Sequence, residues 1–110
     1  GHVLMPSRSK QKGDRDERQL VGDAIEAGLS ARKIPLSGAV EGWKGDVIVT
    51  DATGADWLGE AKVRATGFRQ LYGWLRPYID FLSVRADRQE RLVVMRWSTF
   101  LSLLKRGSKS

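Results

Sequence analysis

The sequence contains no cysteine, which excludes disulfide bonds, thiolate zinc sites and cysteine nucleophiles. Histidine occurs once, and we interpret Gly1 and His2 as the remnant of a cleaved expression tag. Histidine triads and histidine-ligated metals are therefore excluded as well. No apolar run approaches the roughly 20 residues that a transmembrane helix needs, so we expect no membrane partner.

Acidic residues are outnumbered by basic ones, with 13 Asp and Glu against 19 Lys and Arg, for a net charge of +6. A basic protein of this kind suits polyanionic partners such as nucleic acid. The charge is unevenly distributed, because residues 19–59 contain three bases and six acids while the segments on both sides are positive. Basic flanks thus enclose a carboxylate-rich centre, which a simple polyanion-binding protein does not need.

The length of 110 residues, of which 41% are apolar, predicts a single globular domain. We place this domain at residues 13–105. Residues 1–12 are expected to form a flexible basic arm that includes the tag remnant, and residues 106–110 a disordered tail.

The spacing of apolar residues predicts three helices, over about 14–27, 66–76 and 98–105. Gly28 is expected to end the first helix and Ser98 to cap the third. Strands are predicted over 31–36, 46–50, 56–63, 80–85 and 91–96. This order of elements predicts an α/β fold in which helices flank a central mixed sheet.

The turn between the second and third predicted strands determines which of their residues lie opposite each other. A three-residue loop that ends in a left-handed Gly54 places Asp51 opposite Ala55. The same register places Asp46 directly opposite Glu60, with Cβ atoms roughly 5 Å apart.

Asp46 and Glu60 are therefore a predicted pair of carboxylates on one face of the hairpin. Lys62 shares this face because strand side chains alternate, and Ile48 and Leu58 fill it behind them. Opposed carboxylates repel unless a proton or a cation lies between them, and such oxygen ligands suit Mg²⁺. A metal-activated water, with transition-state charge offset by the metal and Lys62, would hydrolyse a phosphodiester. The alternative is an ordinary solvent-exposed strand face.

Glu17 precedes Leu20 and Val21 by three and four residues, so we expect it to face the edge of the sheet. This position brings it near the predicted metal site. The alternative role is structural, since Asp14 and Glu17 have the spacing of a helix capping box. The two roles are compatible.

Four motifs, in this order and spacing, resemble the archaeal-type Holliday junction resolvases and their phage relatives, which belong to the PD-(D/E)XK nuclease superfamily. They are KGDRDERQLV at residues 12–21, Ser37-Gly38, Gly45-Asp46 and Glu60-Ala61-Lys62. The resemblance covers most of the chain, from Ser7 to Lys105. It implies a restriction-endonuclease-like core and a Mg²⁺-dependent, homodimeric endonuclease that nicks four-way DNA junctions in pairs, with Mn²⁺ able to substitute. We expect a cytoplasmic location, in the host cytoplasm if a phage encodes the protein.

The resemblance also implies roles for individual residues. The implied catalytic residues are Glu17, Ser37, Asp46, Glu60 and Lys62. The implied metal ligands are the Asp46 and Glu60 carboxylates and the backbone carbonyl of Ala61. The sequence departs from the superfamily pattern at residue 45, which is glycine instead of proline, and at Gly59, where a β-branched residue is usual.

Basic residues flank all four motifs, and we expect them to contact phosphates. The predicted DNA-binding residues are Arg8, Lys10, Lys12, Arg15, Arg18, Arg32, Lys33, Lys44, Arg64 and Arg69. Nothing resembles a base-reading motif, which favours recognition of DNA shape and backbone. Each base taken alone is also compatible with an ordinary solvated surface charge.

Aromatic residues near the end of the chain exceed what so small a core can bury, and some are expected in a dimer interface. They are Tyr72, Trp74, Trp97 and Phe100. Plain core packing is the alternative. Two other functions also fit the sequence: a PD-(D/E)XK nuclease that cuts flaps, single strands or duplex DNA, and a catalytically silent DNA-binding module.

Overall fold

The computed structural model describes residues 8–34 and 47–107, with side chains described from Lys12 onward. The chain forms two compact units. The first contains residues 1–63 together with Leu104–Ser110, and the second contains Arg64–Leu103.

The first unit contains one long helix and a three-stranded sheet. Helix α1 spans Arg8–Glu26, and strands β1, β2 and β3 span Ser30–Lys33, Val47–Thr50 and Asp56–Gly59. The sheet order is β1-β2-β3, and both pairs are antiparallel. The fold is therefore mixed α/β, as predicted.

The second unit contains helix α2 at Arg69–Trp74, strand β4 at Leu82–Val84 and strand β5 at Leu92–Val94. The two strands pair antiparallel as a separate sheet. Helix α3, Trp97–Arg106, begins in the second unit and ends in the first. The described strands thus form two antiparallel sheets, which differs from the single central mixed sheet predicted.

The buried apolar side chains lie mostly in the first unit. Its buried residues are Ala24, Leu29, Val47, Val49 and Leu104, whereas Leu101 is the buried apolar residue among those described in the second unit. Val47 and Val49 alternate along β2, so one face of the sheet supplies the core.

Helix α1 ends where the sequence predicts. Gly28 adopts a φ of 98°, a conformation that favours glycine. The Gly28 N–H donates to the Ile25 carbonyl at 2.9 Å, and the Leu29 N–H donates to the Ala24 carbonyl at 3.0 Å. These two bonds form a Schellman motif, which turns the chain from the helix into β1.

Two predicted helix starts are wrong. Helix α1 already begins at Arg8, so Asp14 lies inside the helix and the predicted capping box does not exist. Helix α3 begins at Trp97, and the Phe100 N–H donates to the Arg96 carbonyl at 3.1 Å. Ser98 therefore lies within the first turn and not at its cap. In both cases the helix begins on the N-terminal side of the polar residue that the sequence indicates as its cap.

Candidate active site

The three-stranded sheet has two ends with different chemistry. At one end the paired row is Ser30, Thr50 and Asp56, followed by the loop 51–55; we call this the turn end. At the other end the paired row is Lys33, Val47 and Gly59, and we call this the lysine end. Glu60, Ala61 and Lys62 follow Gly59 in the chain, so the fourth predicted motif begins at the lysine end.

The predicted register of the β2–β3 hairpin is confirmed. Ile48 pairs with Leu58, and Val47 pairs with Gly59. Asp46 and Glu60 are the chain neighbours of this last pair. Asp46 lies outside the described residues, as do Ser37 and Lys44.

Glu17 reaches the lysine end because of the lengths of the elements that carry it. The nine steps from Glu17 to Glu26 rise about 13.5 Å along the helix toward the turn end, and β1 then runs back toward the lysine end over roughly 10 Å. Glu17 Oε1 lies 3.3 Å from Lys33 Nζ, and the Glu17 side chain is only 15% exposed. Helix α1 therefore presents a largely shielded carboxylate to the lysine end of the sheet.

Glu60 and Lys62 also lie together, but not for the reason predicted. Strand β3 ends at Gly59, so the alternation of strand side chains does not extend to these residues. Instead, Lys62 Nζ lies 3.1 Å from Glu60 Oε2 in an ion pair. The Glu60 side chain is 42% exposed, which leaves it open to solvent and to ligands.

The sheet face that carries Ile48 and Leu58 is the more exposed of the two. Ile48 is half-buried and Leu58 is 53% exposed, whereas Val47 and Val49 are buried on the opposite face. Arg32 pairs with Ile48 and is also exposed. This face therefore borders solvent, as a site that receives a macromolecule must.

The turn end is held by Asp51, a buried carboxylate that sequence reasoning treated only as a turn residue. Asp51 Oδ1 accepts hydrogen bonds from the Thr53 N–H at 2.9 Å, the Thr53 hydroxyl at 2.6 Å and the Ala55 N–H at 3.0 Å. Asp51 Oδ2 accepts one from Trp57 Nε1 at 2.8 Å. The signal in the sequence is Asp-x-Thr, since aspartate commonly accepts hydrogen bonds from the backbone two residues later.

These donors stabilise the charged form of Asp51 and lower its pKa to about 2. The hydroxyl of Thr53 is the largest cause, followed by the indole of Trp57, while burial acts in the opposite direction. The predicted loop geometry is confirmed, because the Asp51 N–H donates to the Ala55 carbonyl at 2.9 Å and Gly54 has a φ of 89°. Asp51 is thus a structural carboxylate whose oxygens already have partners.

The predicted DNA-binding residues occupy several elements. Lys12, Arg15 and Arg18 are exposed on α1, which also carries Arg8 and Lys10. Arg64 and Arg69 are exposed in the second unit. Lys33 is exposed on β1, and its ammonium group pairs with Glu17.

A metal site is not complete within the described residues. They contain no group of three or more His, Cys, Asp or Glu side chains placed to hold a metal ion. The Glu60 carboxylate and the Ala61 carbonyl are hard oxygen donors, the type of ligand that Mg²⁺ prefers. The other predicted acid, Asp46, lies outside the described ranges.

Comparison with protein-family models, with curated proteins and with solved structures finds no match for this chain. No helix in the described part of the chain is long and apolar enough to cross a membrane. The residues at the lysine end therefore provide the basis for a functional assignment.

Proposed function

We propose that the protein is a Mg²⁺-dependent, structure-selective endonuclease that resolves four-way DNA junctions by paired nicks. One observation carries the proposal: the Glu17–Lys33 and Glu60–Lys62 ion pairs both lie at the lysine end of the sheet, where Val47 follows Asp46 in the chain. These residues come from α1, β1 and the segment after β3. Two of the motifs that resemble the resolvases, those of Glu17 and of Glu60-Ala61-Lys62, thus come to the same end of a sheet, which supports the proposal of a restriction-endonuclease-like core.

The proposed metal ligands are Asp46, Glu60 and the Ala61 carbonyl. When bound, Mg²⁺ supplies Lewis acidity and lowers the pKa of water at the scissile phosphate. Glu60 is suited to binding because its side chain is 42% exposed and its one described charged partner, Lys62, is a flexible lysine. A carboxylate that already accepts four hydrogen bonds, such as Asp51, is not available in this way.

Lys62 is the proposed catalytic lysine. Its ammonium group lies 3.1 Å from Glu60, so a phosphate held beside Glu60 is within its reach. A positive charge in that position offsets the negative charge that develops on the phosphoryl oxygens in the transition state. Lys62 also orients the attacking water by donating a hydrogen bond to it.

Glu17 and Ser37 complete the proposed catalytic set. Glu17 is held by Lys33 at the lysine end. Its proposed role is to accept a hydrogen bond from a water that the metal would bind. The resemblance to the resolvases assigns Ser37 a hydroxyl near the scissile phosphate, and Ser37 lies outside the described residues.

The proposed substrate follows from charge and symmetry. Helix α1 carries five bases between Arg8 and Arg18, immediately around Glu17, and they provide phosphate contacts that do not depend on base sequence. A four-way junction has two equivalent strands to cut, which a homodimer matches with two equivalent sites. Paired nicks then require one active site in each protomer.

The test is nicking of labelled four-way, flap, single-stranded and duplex DNA, with Mg²⁺, with Mn²⁺ and with EDTA. We expect Mg²⁺- and Mn²⁺-dependent nicking of the junction, and its loss in EDTA and in Asp46→Ala. Equal activity of wild type and Asp46→Ala would refute the site. Preferred cleavage of flaps, single strands or duplex would refute junction resolution but retain the nuclease, and metal-independent DNA binding without cleavage would indicate a binding module.

A further inference from the structure

The second unit, Arg64–Leu103, exposes an unusual amount of apolar and aromatic surface. Of the ten large hydrophobic residues that are exposed in the described chain, seven belong to this unit. They include Tyr72 at 80% exposure and Tyr78 at 76%. Apolar groups that face solvent in such numbers commonly mark a binding surface.

This unit also contains a cavity of about 830 Å³. Four aromatic residues, from α2, α3 and the segment before α2, are part of its lining: Phe68, Tyr72, Trp97 and Phe100. The rings of Trp97 and Phe100 are 5.8 Å apart and tilted by 38°. Cavities of a few hundred to a thousand Å³ with apolar and aromatic walls are typical of sites for organic ligands.

The cavity wall also contains a charged hydrogen-bond donor, the guanidinium of Arg96. Its Nη2 is anchored by donation to the Ile79 carbonyl at 2.7 Å. A wall of aromatic faces and donors suits a planar ligand with acceptor atoms at its edge.

The second unit is rich in arginine, which favours a ligand that carries negative charge. Arg64–Leu103 contains seven arginines, three acids and no lysine. Arginine both binds phosphate in a bidentate manner and stacks on planar rings, which lysine does not. The complementary partner is a planar base on an anionic backbone.

We propose that this cavity binds an unpaired nucleobase of the DNA substrate, with the ring of Tyr72 stacked on the base at the entrance. A base within a duplex is shielded by its neighbours, so only an unpaired or extruded base can enter. The inference rests on the proposed DNA substrate, but it does not depend on cleavage. It assigns the second unit to recognition of the branch point and the first unit to chemistry.

The test compares three fluorescein-labelled duplexes in EDTA by anisotropy. One contains a single unpaired thymidine, one contains an abasic nucleotide at that position, and one is fully paired. All the backbone charges of the first two are equal, so their difference reports the base alone. We expect about tenfold tighter binding of the unpaired thymidine than of the abasic site, the effect typical of one stacked base.

Variants identify the cavity as the site. Tyr72→Ala is expected to remove the tenfold preference and Tyr72→Phe to retain it. Tyr78→Ala is the matched control, because Tyr78 has similar exposure but does not line the cavity, and it should retain the preference. Both tyrosines are exposed, so neither substitution removes a buried contact, and circular dichroism verifies the fold.

Three results would overturn the inference: equal affinity for thymidine and abasic bulges, a preference that survives in Tyr72→Ala, or a preference lost equally in Tyr78→Ala. The oligomeric state of Tyr72→Ala, measured by sedimentation, tests whether the cavity is instead a dimer interface. Dissociation of a dimer, with both affinities falling together, would make the cavity an interface between copies. If the wild type shows metal-dependent cleavage but no base preference, this inference alone is refuted. If the wild type shows a base preference but no metal-dependent cleavage, only the proposed enzyme is refuted.

Discussion

The two ends of the three-stranded sheet use acidic residues in opposite ways. At the turn end, Asp51 is buried and accepts four hydrogen bonds from its own loop and from Trp57. At the lysine end, Glu17 and Glu60 each pair with one lysine side chain among the described residues, and Glu60 is open to solvent. At the turn end the oxygens of the carboxylate are already occupied by hydrogen bonds. At the lysine end the carboxylate oxygens can still accept a further ligand.

This difference separates structural acids from candidate functional ones without reference to sequence motifs. A carboxylate whose oxygens are occupied stabilises the fold and cannot exchange its partners without a loss of stability. A carboxylate held by one flexible ammonium group can exchange that partner for a metal ion or a water. Substitutions at the two ends should therefore affect different measurements.

The largest expected effect is on catalysis at the lysine end. Glu60→Gln should lower the rate of junction nicking by about 10²–10³-fold, because a neutral amide binds Mg²⁺ poorly. Its thermal stability should stay close to that of the wild type. Single-turnover nicking and a melting curve measure both quantities.

The matched control for Glu60→Gln is Asp56→Asn, because Asp56 begins β3 at the turn end whereas Glu60 directly follows β3 at the lysine end. Asp56 is exposed and accepts a hydrogen bond from the Thr50 hydroxyl at 2.7 Å. The Asp56→Asn variant should retain nicking activity. Comparable losses in the two variants would mean that the sheet ends do not differ in function.

Stability should depend most on the turn end. Asp51→Ala removes the carboxylate that accepts four hydrogen bonds from Thr53, Ala55 and Trp57. The loss of these hydrogen bonds lowers the free energy of unfolding. We expect the largest loss of stability among single carboxylate substitutions, measured by urea unfolding. Glu60→Gln serves as the comparison, and a larger loss there would reverse the assignment.

The same carboxylate should make stability depend on acid pH. The pKa of Asp51 is lowered from 3.8 to about 2 in the folded chain, so the ionised form favours folding. This contribution is complete above about pH 4 and is lost as the pH falls toward 2, when the carboxylate becomes protonated. The stability difference between wild type and Asp51→Asn should shrink over that interval in urea titrations. A constant difference would contradict the assignment.

A smaller effect is expected at Gly54, in the loop of the turn end. Its φ of 89° is unfavourable for a residue with a Cβ, although no atom lies within 4 Å of the Cβ position. Gly54→Ala should therefore destabilise the protein by about 1 kcal/mol through backbone strain alone. Gly22→Ala is the control, since Gly22 lies in α1 with equally open surroundings and an ordinary φ. There alanine should be neutral or stabilising.

The smallest expected effect is the coupling between Glu17 and Lys33. Their separation is 3.3 Å, but Lys33 is 39% exposed and water screens the pair. A double-mutant cycle with Glu17→Gln and Lys33→Gln should give a coupling of about 0.5 kcal/mol in unfolding. A coupling near zero would mean that the ion pair does not hold Glu17 in place.

The parts of the fold that depend on neighbouring residues could be predicted from the sequence. Gly54 determined the loop, the loop determined the register of β2 and β3, and Gly28 marked the end of α1. Each of these follows from local backbone geometry. They were the basis for expecting Glu60 near Asp46.

Features that depend on partners distant in the sequence were predicted less well. Helix α1 continues upstream to Arg8, although polar residues there gave no apolar periodicity. Strand β3 ends at Gly59, although the sequence predicts a strand as far as residue 63. The pairing of Lys33 with Glu17 was also missed, since it depends on how α1 lies along β1. Lys33 was expected to contact DNA.

One backbone hydrogen bond bears on how the chain reaches its folded state. The Ala52 N–H at the turn end donates to the Leu104 carbonyl at 3.0 Å, and both residues belong to the first unit. The second unit is therefore an insertion within the first, enclosed by a loop of about 50 residues. During synthesis, the first unit cannot be completed until Leu104 has left the ribosome. The insertion is available to fold before the domain that contains it.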